Sequence, residues 1–336
     1  MVTALRRDFT TCGVTQKILS DLVHTSPSTI NKMVSSLELK PLDETASRNI
    51  RYSIDDIRSI TSKFIANKDN RKCNVLSFYN FKGGVGKTTL CFEVASHLAL
   101  MGYEVLAVDT DPQAHLSTAL SFDTTNEYPT LYDIIVNDLS PFDCIENIFP
   151  GLDCLPSNLS LTRLESELDN LPRREERVSI SLTPLKEKYD FIIFDCNPTI
   201  SKLNMNIINF SDILPIIVET QLFAINGLKM LLQDLEKFCK KMIMDMPKIV
   251  VIPNKYEERT ASSGEAMSLL RKYYSEYTIP DFAVRMSEEL KTSTKLSLPL
   301  ALFCRSNSIA FEDILEVLRY LLAQSKEEVE KSAAAY

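Results

Sequence analysis

Asn80-Phe81-Lys82-Gly83-Gly84-Val85-Gly86-Lys87-Thr88-Thr89-Leu90 is the stretch on which the reading of the chain turns. It follows an apolar run, Val75-Leu76-Ser77-Phe78-Tyr79, that reads as a buried strand, and it leads into a helical periodicity from Thr89 to Met101 with Gly102 as the stop. Strand, glycine loop and helix in that order are what a phosphate-binding loop requires. Glycines let backbone N–H groups curl around phosphate oxygens without a Cβ in the way, and the helix N-terminus adds partial positive charge. Lys87 is placed to reach the β- and γ-phosphates, and the Thr88 hydroxyl to ligate Mg²⁺. The commonest form of this loop carries a glycine six residues before the lysine. Phe81 stands there instead, and a second lysine, Lys82, opens the glycine run.

Two further strand ends carry carboxylates. Tyr103-Glu104-Val105-Leu106-Ala107-Val108-Asp109 reads as a buried strand that runs into Asp109-Thr110-Asp111-Pro112-Gln113. Two acids at the C-terminal end of a strand beside a phosphate loop are placed to act on Mg²⁺ and water. Tyr189-Asp190-Phe191-Ile192-Ile193-Phe194-Asp195-Cys196-Asn197-Pro198 places Asp195 at another strand tip, near the metal. Apolar strands follow at Ile213 to Val218 and Ile249 to Ile252, and a helix from Ile309 to Ala323 closes the body ahead of a frayed tail, Glu327 to Tyr336. Residues 121–150 read as a mixed insertion, and Arg173-Arg174-Glu175-Glu176-Arg177 as a solvated helix face. Strand, loop, helix and strand in repetition demand an α/β fold: a mostly parallel, doubly wound sheet with the phosphate site at its C-terminal edge.

The first 72 residues have another pattern. Beyond an ambiguous start with a short helix at 3–9, Gln16 to Val23 and Pro27 to Leu37 are two short amphipathic helices around a turn, with Ser26 as N-cap and Pro27 in the first helical position. The second helix presents Ser28, Thr29, Asn31 and Lys32, short polar groups suited to base edges and phosphates. A polar loop at 40–49, then Ile50-Arg51-Tyr52-Ser53 and Ile54 to Ile60, resemble the wing and third helix of MerR-like winged DNA-binding domains, with Arg51 on phosphate. The charged stretch Asn67 to Lys72 reads as a linker, so the expected division is a small, mainly helical winged helix-turn-helix domain over 1–72 and a phosphate-loop domain over 73–336.

At 336 residues, 45% hydrophobic and 24% charged, the chain has the composition of a globular protein of two domains or one large one. No apolar run approaches the roughly 18 residues of a membrane span, and the N-terminus lacks the apolar core of a signal peptide, so a cytoplasmic location is expected. The eight cysteines form no Cys-x-x-Cys pair, which argues against a disulfide framework or a zinc site. The net charge of −8 is uneven: residues 1–72 hold 12 Lys and Arg against 8 Asp and Glu, and the remainder 25 against 37. Any DNA surface on the larger part must therefore be a local cluster. The densest is Arg285, Lys291, Lys295 and Arg305, interleaved with Thr292, Ser293, Thr294 and Ser297.

The Lys-Gly-Gly-x-Gly-Lys-Thr loop at 82–88, Asp-x-Asp-Pro-Gln at 109–113 and Asp-x-x-Pro at 195–198 together resemble the ParA/MinD family of deviant Walker ATPases, over roughly residues 74–324; Arg285-Met286-Ser287-Glu288-Glu289 is similar to a late family segment. The resemblance implies ATP or ADP and Mg²⁺ as ligands, held by Lys82, Gly83, Gly84, Val85, Gly86, Lys87, Thr88 and Thr89. It implies that Asp111 orients the attacking water, that Asp109 supports the metal's water shell, that Asn254 contacts adenine, and that Lys82 reaches the phosphates of a second protomer. A helix-turn-helix ahead of such an ATPase resembles the larger, type Ia partition proteins. That likeness implies a homodimer closed by ATP, nonspecific binding to nucleoid DNA, slow hydrolysis stimulated by a ParB-like centromere-binding partner, and repression of the chain's own operon. A MinD-like membrane ATPase shares the loop but needs a basic amphipathic tail, and Lys326-Glu327-Glu328-Val329-Glu330-Lys331 is acid-rich. Iron–sulfur relatives need paired cysteines. A repressor that senses nucleotide without hydrolysing it would have no use for Asp111.

Overall fold

In the computed structural model, which describes residues 7–43, 50–65, 72–123 and 126–334 (the side chains of 327–334 excepted), the chain opens with a small unit. It comprises strand β1 (Gly13–Thr15), helices α1 (Gln16–Leu22) and α2 (Pro27–Ser36), strand β2 (Arg51–Ser53) and helix α3 (Ile54–Thr61). The hydroxyls of Thr15, Ser26 and Ser53 each accept a backbone N–H three residues on, so all three helices start where the sequence offers a cap. β1 and β2 pair antiparallel, Gly13 opposite Ser53. The three helices and β2 stand where the sequence places them, whereas β1, the strand that pairs with β2, is not expected from it. The short helix expected at 3–9 falls mostly outside the described residues, and Arg7–Phe9 are not helical. The linker expected at 67–72 also lies outside them, apart from Lys72.

The larger part runs β3 (Asn74–Phe78), α4 (Lys87–Leu100), β4 (Val105–Asp109), α5 (His115–Ala119), α6 (Leu131–Val136), β5 (Glu146–Phe149), β6 (Leu152–Leu155), α7 (Leu161–Leu168), α8 (Arg177–Leu182), β7 (Phe191–Asp195), α9 (Lys202–Phe210), β8 (Ile213–Glu219), α10 (Leu222–Met242), β9 (Lys248–Asn254), α11 (Ala261–Tyr274), α12 (Glu288–Leu296), α13 (Leu300–Phe303) and α14 (Ile309–Ala334). The seven strands lie in the order β5-β6-β4-β7-β3-β8-β9; only β5, which comes from the expected mixed insertion, is antiparallel. The inner strands are buried along their whole length because helices cover both faces. Leu76, Phe78, Ala107 and Ile193 face one core, while Val75, Leu106, Val108 and Ile192 face the other. Asp109 and Asp195 come side by side at the C-terminal tips of β4 and β7, next to β3 and its loop. The expected mostly parallel α/β sheet is present. α14 runs past the expected end at Ala323, and no helix among the described residues is long and apolar enough to cross a membrane.

The expected boundary near residue 72 is not a break in packing. Ile18, Leu19, Ile54, Ile57 and Ile60 of the first unit share one apolar core with Leu98 and Leu100 of α4, Leu302, and Phe311 and Ile314 of α14. The junction is also polar. Arg58 of α3 donates to the carbonyls of Ala99 and Tyr103, the latter at 2.8 Å, and to Glu104 at 2.5 Å. Thr61 donates to Leu100 O at 3.0 Å. A basic side chain over the last carbonyls of a helix satisfies orphan acceptors and opposes the helix dipole. Gly151 makes room for it: its φ is +88°, and a Cβ there would lie 1.8 Å from Arg58 Nη1. On the other side of α4, buried Glu93 accepts from Leu300 N at 3.1 Å and buried His97 accepts through Nε2 from Ala301 N at 3.2 Å, which seats α13 on the helix. Burial pushes the Glu93 carboxyl up to about 8 and the His97 imidazole down to about 4.

Gly151→Ala must displace Arg58 and strain a left-handed turn, so it is expected to cost about 1–3 kcal/mol, visible as a lower urea midpoint together with faster proteolysis within residues 7–65. A second expected outcome concerns pH. The folded chain keeps a proton on Glu93 that the unfolded chain has already released, so stability contributed below the ordinary carboxyl range is lost as pH rises towards about 8. His97 acts in the opposite sense below its ordinary value of 6.5, where stability is lost as pH falls towards about 4, so from 6.5 up to about 8 Glu93 acts unopposed by His97, in a span it shares with buried Asp195. Glu93→Gln is expected to flatten the fall in that span by up to about 1.4 kcal/mol per pH unit, read by denaturant titrations.

Candidate phosphate-binding site

The loop between β3 and α4 is shaped by two contacts from below. Asn80 Nδ2 donates to Ile217 O at 2.7 Å, and its Oδ1 accepts from Lys82 N at 3.0 Å. Asn254, at the end of β9, donates through Nδ2 to Val85 O at 2.8 Å. Gly86, with φ +97°, is the N-cap of α4, and a Cβ there would lie 2.3 Å from Asn254 Nδ2. The sequence therefore has glycine at 86 for a left-handed turn that also lies tight against an amide. Asn254, for which adenine contact is expected, is thus 6% exposed and props the loop from beneath.

Above the loop there is room. A Cβ on Gly83 or Gly84 would meet nothing within 4 Å, so the loop's outer side is free to take phosphate oxygens. Lys87 lies buried in the loop with Nζ 3.2 Å from Lys82 O; burial lowers its pKa, and Asp195 and Asp111 work against that. Thr88 and Thr89 follow in the first turn of α4, both half-buried. The Thr88 hydroxyl donates to Asp195 Oδ2 at 2.6 Å. Asp195 is buried, its Oδ1 has no hydrogen-bond partner, and burial with Asp109 alongside pushes its pKa up to about 8. A buried carboxylate with one unmatched oxygen next to a hydroxyl at a phosphate loop fits a divalent cation shared with phosphate. The pair is of the kind that holds Mg²⁺, which is bound by one or two side chains and its ligand's oxygens.

The two acids after β4 take different positions. Asp109 is buried, accepts from Ser117 N at 2.8 Å and Ser117 Oγ at 2.7 Å through Oδ2, and from Asp111 N at 3.1 Å through Oδ1. Burial raises its pKa to about 6. It is thus tied chiefly to the segment that carries Asp111. Asp111 reaches the mouth of the site: Oδ1 accepts from Gln113 N at 2.9 Å, its peptide oxygen accepts from Ser157 Oγ at 2.6 Å, and His115 Nδ1 lies 3.8 Å from Oδ2. Lys82 sits exposed at the rim and pairs with Glu219 at the tip of β8, which Lys255 also contacts at 2.8 Å. No motif in the sequence marks Ser117, Ser157, Glu219 or Lys255. The signal is faint: Glu219 ends an apolar strand as Asp109 and Asp195 do, and Lys255 is the neighbour of Asn254.

The residues expected on DNA divide. Ser28, Asn31 and Lys32 are exposed on α2 and Thr29 is half-buried, with the Ser28 and Thr29 hydroxyls 2.7 and 2.9 Å from Ser26 Oγ. Arg51, expected on phosphate, is exposed, and its Nη1 donates to Leu302 O at 2.8 Å, which fastens the ribbon to the body. Arg285, also expected on DNA, is partly exposed, and its Nε and Nη2 close on Asp313, itself 3% exposed. Lys291, Lys295 and Arg305 are exposed; Lys291 pairs only with the exposed Glu288, at 2.6 Å.

A sequence-family profile described as an AAA domain, AAA_31, matches residues 73–248. The chain is 32% identical over 218 residues to the sporulation initiation inhibitor protein Soj of Bacillus subtilis, covering 64% of this chain and 86% of that one. It is 27% identical over 232 residues to the chromosome partitioning protein ParA of Caulobacter vibrioides, covering 68% and 86%. Among solved structures, a Cyanothece McdA–ATP complex superposes with a TM-score of 0.68 at 22% identity, over 76% of this chain and 98% of that one, which places the fold. With the loop, the three aspartates and these likenesses in place, the chain belongs to the AAA_31 family and, within it, to the ParA-type P-loop ATPases.

Proposed function

We infer that this ATPase uses ATP and Mg²⁺ to drive the partition or positioning of a DNA cargo, pairing with a second copy when ATP is bound and binding DNA without regard to sequence in that state. The observation that carries the nucleotide site is the unmatched Oδ1 of buried Asp195 beside Thr88, at the foot of a loop open above Gly83 and Gly84. Lys87 and the loop amides bind the β- and γ-phosphates, and Thr88 and Asp195 would hold a Mg²⁺ that would supply neutralisation of phosphate charge. Asp111, at the mouth of the site, holds the attacking water in line, while Asp109 fixes the segment that carries Asp111. Lys82, exposed at the rim, supplies a cation to developing phosphate charge, which in a paired state includes the second copy's.

Partition needs DNA and a partner. Lys291, Lys295 and Arg305 are exposed and so available to phosphates, and α2 presents Ser28, Asn31 and Lys32 in the manner of a helix that reads a groove. On this reading residues 1–72 bind operator DNA and repress the operon, a ParB-like protein stimulates hydrolysis, and the protein resides on the nucleoid in the cytoplasm. Because the first unit shares a core with the rest, point variants on α2 test its role better than truncation does.

Lys87→Ala is expected to lower ATP affinity at least a hundredfold by calorimetry, since it removes the one buried cation of the loop; unchanged affinity overturns the nucleotide site. Asp111→Ala is expected to bind ATP, accumulate as a dimer in light scattering and hold duplex DNA without turning over. Lys291→Ala combined with Lys295→Ala should reduce the salt dependence of that DNA binding by about 0.9 for each phosphate no longer neutralised while sparing ATP binding, and an unreduced slope in filter binding removes both lysines from the DNA surface.

A further inference from the structure

Three lysines, not two, converge on the phosphate loop. Lys87 lies inside it and Lys82 opens it. The third, Lys255, is the first residue after β9, and no motif points to it. Its Nζ donates to Gly84 O at 2.5 Å, on the loop's open stretch, and to Glu219 Oε1 at 2.8 Å. The other oxygen of Glu219 accepts from Lys82. Glu219 is 11% exposed, whereas Lys82 and Lys255 are 44% and 36% exposed. Burial pushes its carboxyl up and the hydrogen bonds from the two lysines more than reverse this, so it stands as an anion between two cations. The backbone supports the arrangement: Lys255 holds a left-handed φ of +57° at the strand end, a conformation a β-carbon disfavours.

An anion bridging two mobile ammonium groups beside a loop built for anions occupies a position that a polyphosphate can contest. Resting on the nucleotide reading above, we propose that Lys255 is a third phosphate-binding lysine of this site and that Glu219 is its internal counter-ion, which Lys255 leaves for the outer phosphate oxygens when a nucleoside triphosphate is seated in the loop. The exchange is between ion pairs and no covalent bond changes. The ammonium already touches Gly84, so the move needs side-chain rotation alone. The triphosphate carries more charge than the single carboxylate, and the open space beside Gly83 and Gly84 leaves room for its terminal group within reach of Lys255. Lys255 should therefore distinguish ATP from ADP, whereas a lysine that only braces the Gly84 carbonyl would serve both nucleotides equally.

The test uses the full chain with Mg²⁺ and compares ATP with ADP by calorimetry across a sodium chloride series. Lys255→Ala is expected to weaken ATP about tenfold, ADP distinctly less, and to flatten the salt dependence of ATP binding; Lys255→Arg should restore most of the affinity. Glu219→Gln, which removes the competing charge, is expected to tighten ATP severalfold. Equal losses for ATP and ADP with an unchanged salt dependence show a brace only and overturn the proposal, as does an unchanged ATP affinity in Lys255→Ala. Lys87→Ala keeps the two readings apart: unchanged ATP binding in that variant removes the nucleotide site itself, whereas failure confined to the Lys255 variants removes only the third lysine.

Discussion

Helix α4 is held at both ends, and the rest of the molecule is arranged around that constraint. Its N-terminus is Gly86, locked against Asn254 by the approach of an amide to a residue without a β-carbon. Its last carbonyls are covered by Arg58 and Thr61 from the N-terminal unit. In the middle, Glu93 and His97 hold the backbone of α13, whose Leu302 carbonyl in turn accepts from Arg51 of the ribbon. A 14-residue helix spans about 21 Å, so the phosphate loop and the N-terminal unit lie at opposite ends of one stiff rod. A shift of the loop that tilts α4 moves the carbonyls to which Arg58 is bonded, and this is why the unit and the body behave as one packed object despite their different sequence patterns.

The buried charges arise from the same constraint. A phosphate loop at the tip of a fully covered parallel sheet places its acidic partners at strand ends that are themselves buried. Asp109 and Asp195 stand side by side in the register of β4 and β7, and burial raises both; the neighbouring charge of Asp109 adds to this at Asp195, while three hydrogen bonds hold Asp109 down. Ser117 and Asp111 satisfy Asp109, whereas Asp195 has Thr88 alone. The difference assigns work: the carboxylate already satisfied by the protein fixes a neighbouring segment, and the one left short is fitted to a cation.

The fold was legible because its signals are local. Apolar runs of five residues ending in glycine loops or aspartates give the strands of a parallel sheet, and the cap at Ser26 gives a helix start. The loop residues 82–88, Asp111 and Asp195 were legible for the same reason, since each sits at a strand end with a characteristic spacing. What escaped was everything set by residues far apart in the chain. Arg51 and Arg285 are basic residues in polar segments and look free, but their acceptors, Leu302 O and Asp313, are 251 and 28 residues away. Asn254 is another such case: 169 residues from Val85, its task is defined by a loop it meets only in the folded sheet. The boundary near residue 72 was read from a change of pattern, and pattern carries no information about a core shared between Ile57 and Phe311.

The cations at the loop show how the two kinds of information combine. Lys82 and Lys87 belong to a motif, and each could be assigned from its neighbours in sequence. Lys255 and Glu219 could not, because β8 and β9 bring them to the loop only through the order of the sheet, in which β8 lies next to β3 and β9 next to β8. The two strands on that side of the loop each end in a residue that touches it or its lysines, Glu219 and Asn254, with Lys255 one step beyond. On the other side, β7 and β4 end in Asp195 and Asp109. The strand order therefore divides the mouth of the site into a carboxylate side suited to a metal and water and a lysine side suited to phosphate. A bare carboxylate among lysines would only cancel their attraction for phosphate. Glu219 avoids this by binding two of them at once, so that either can leave while the other keeps the buried charge paired.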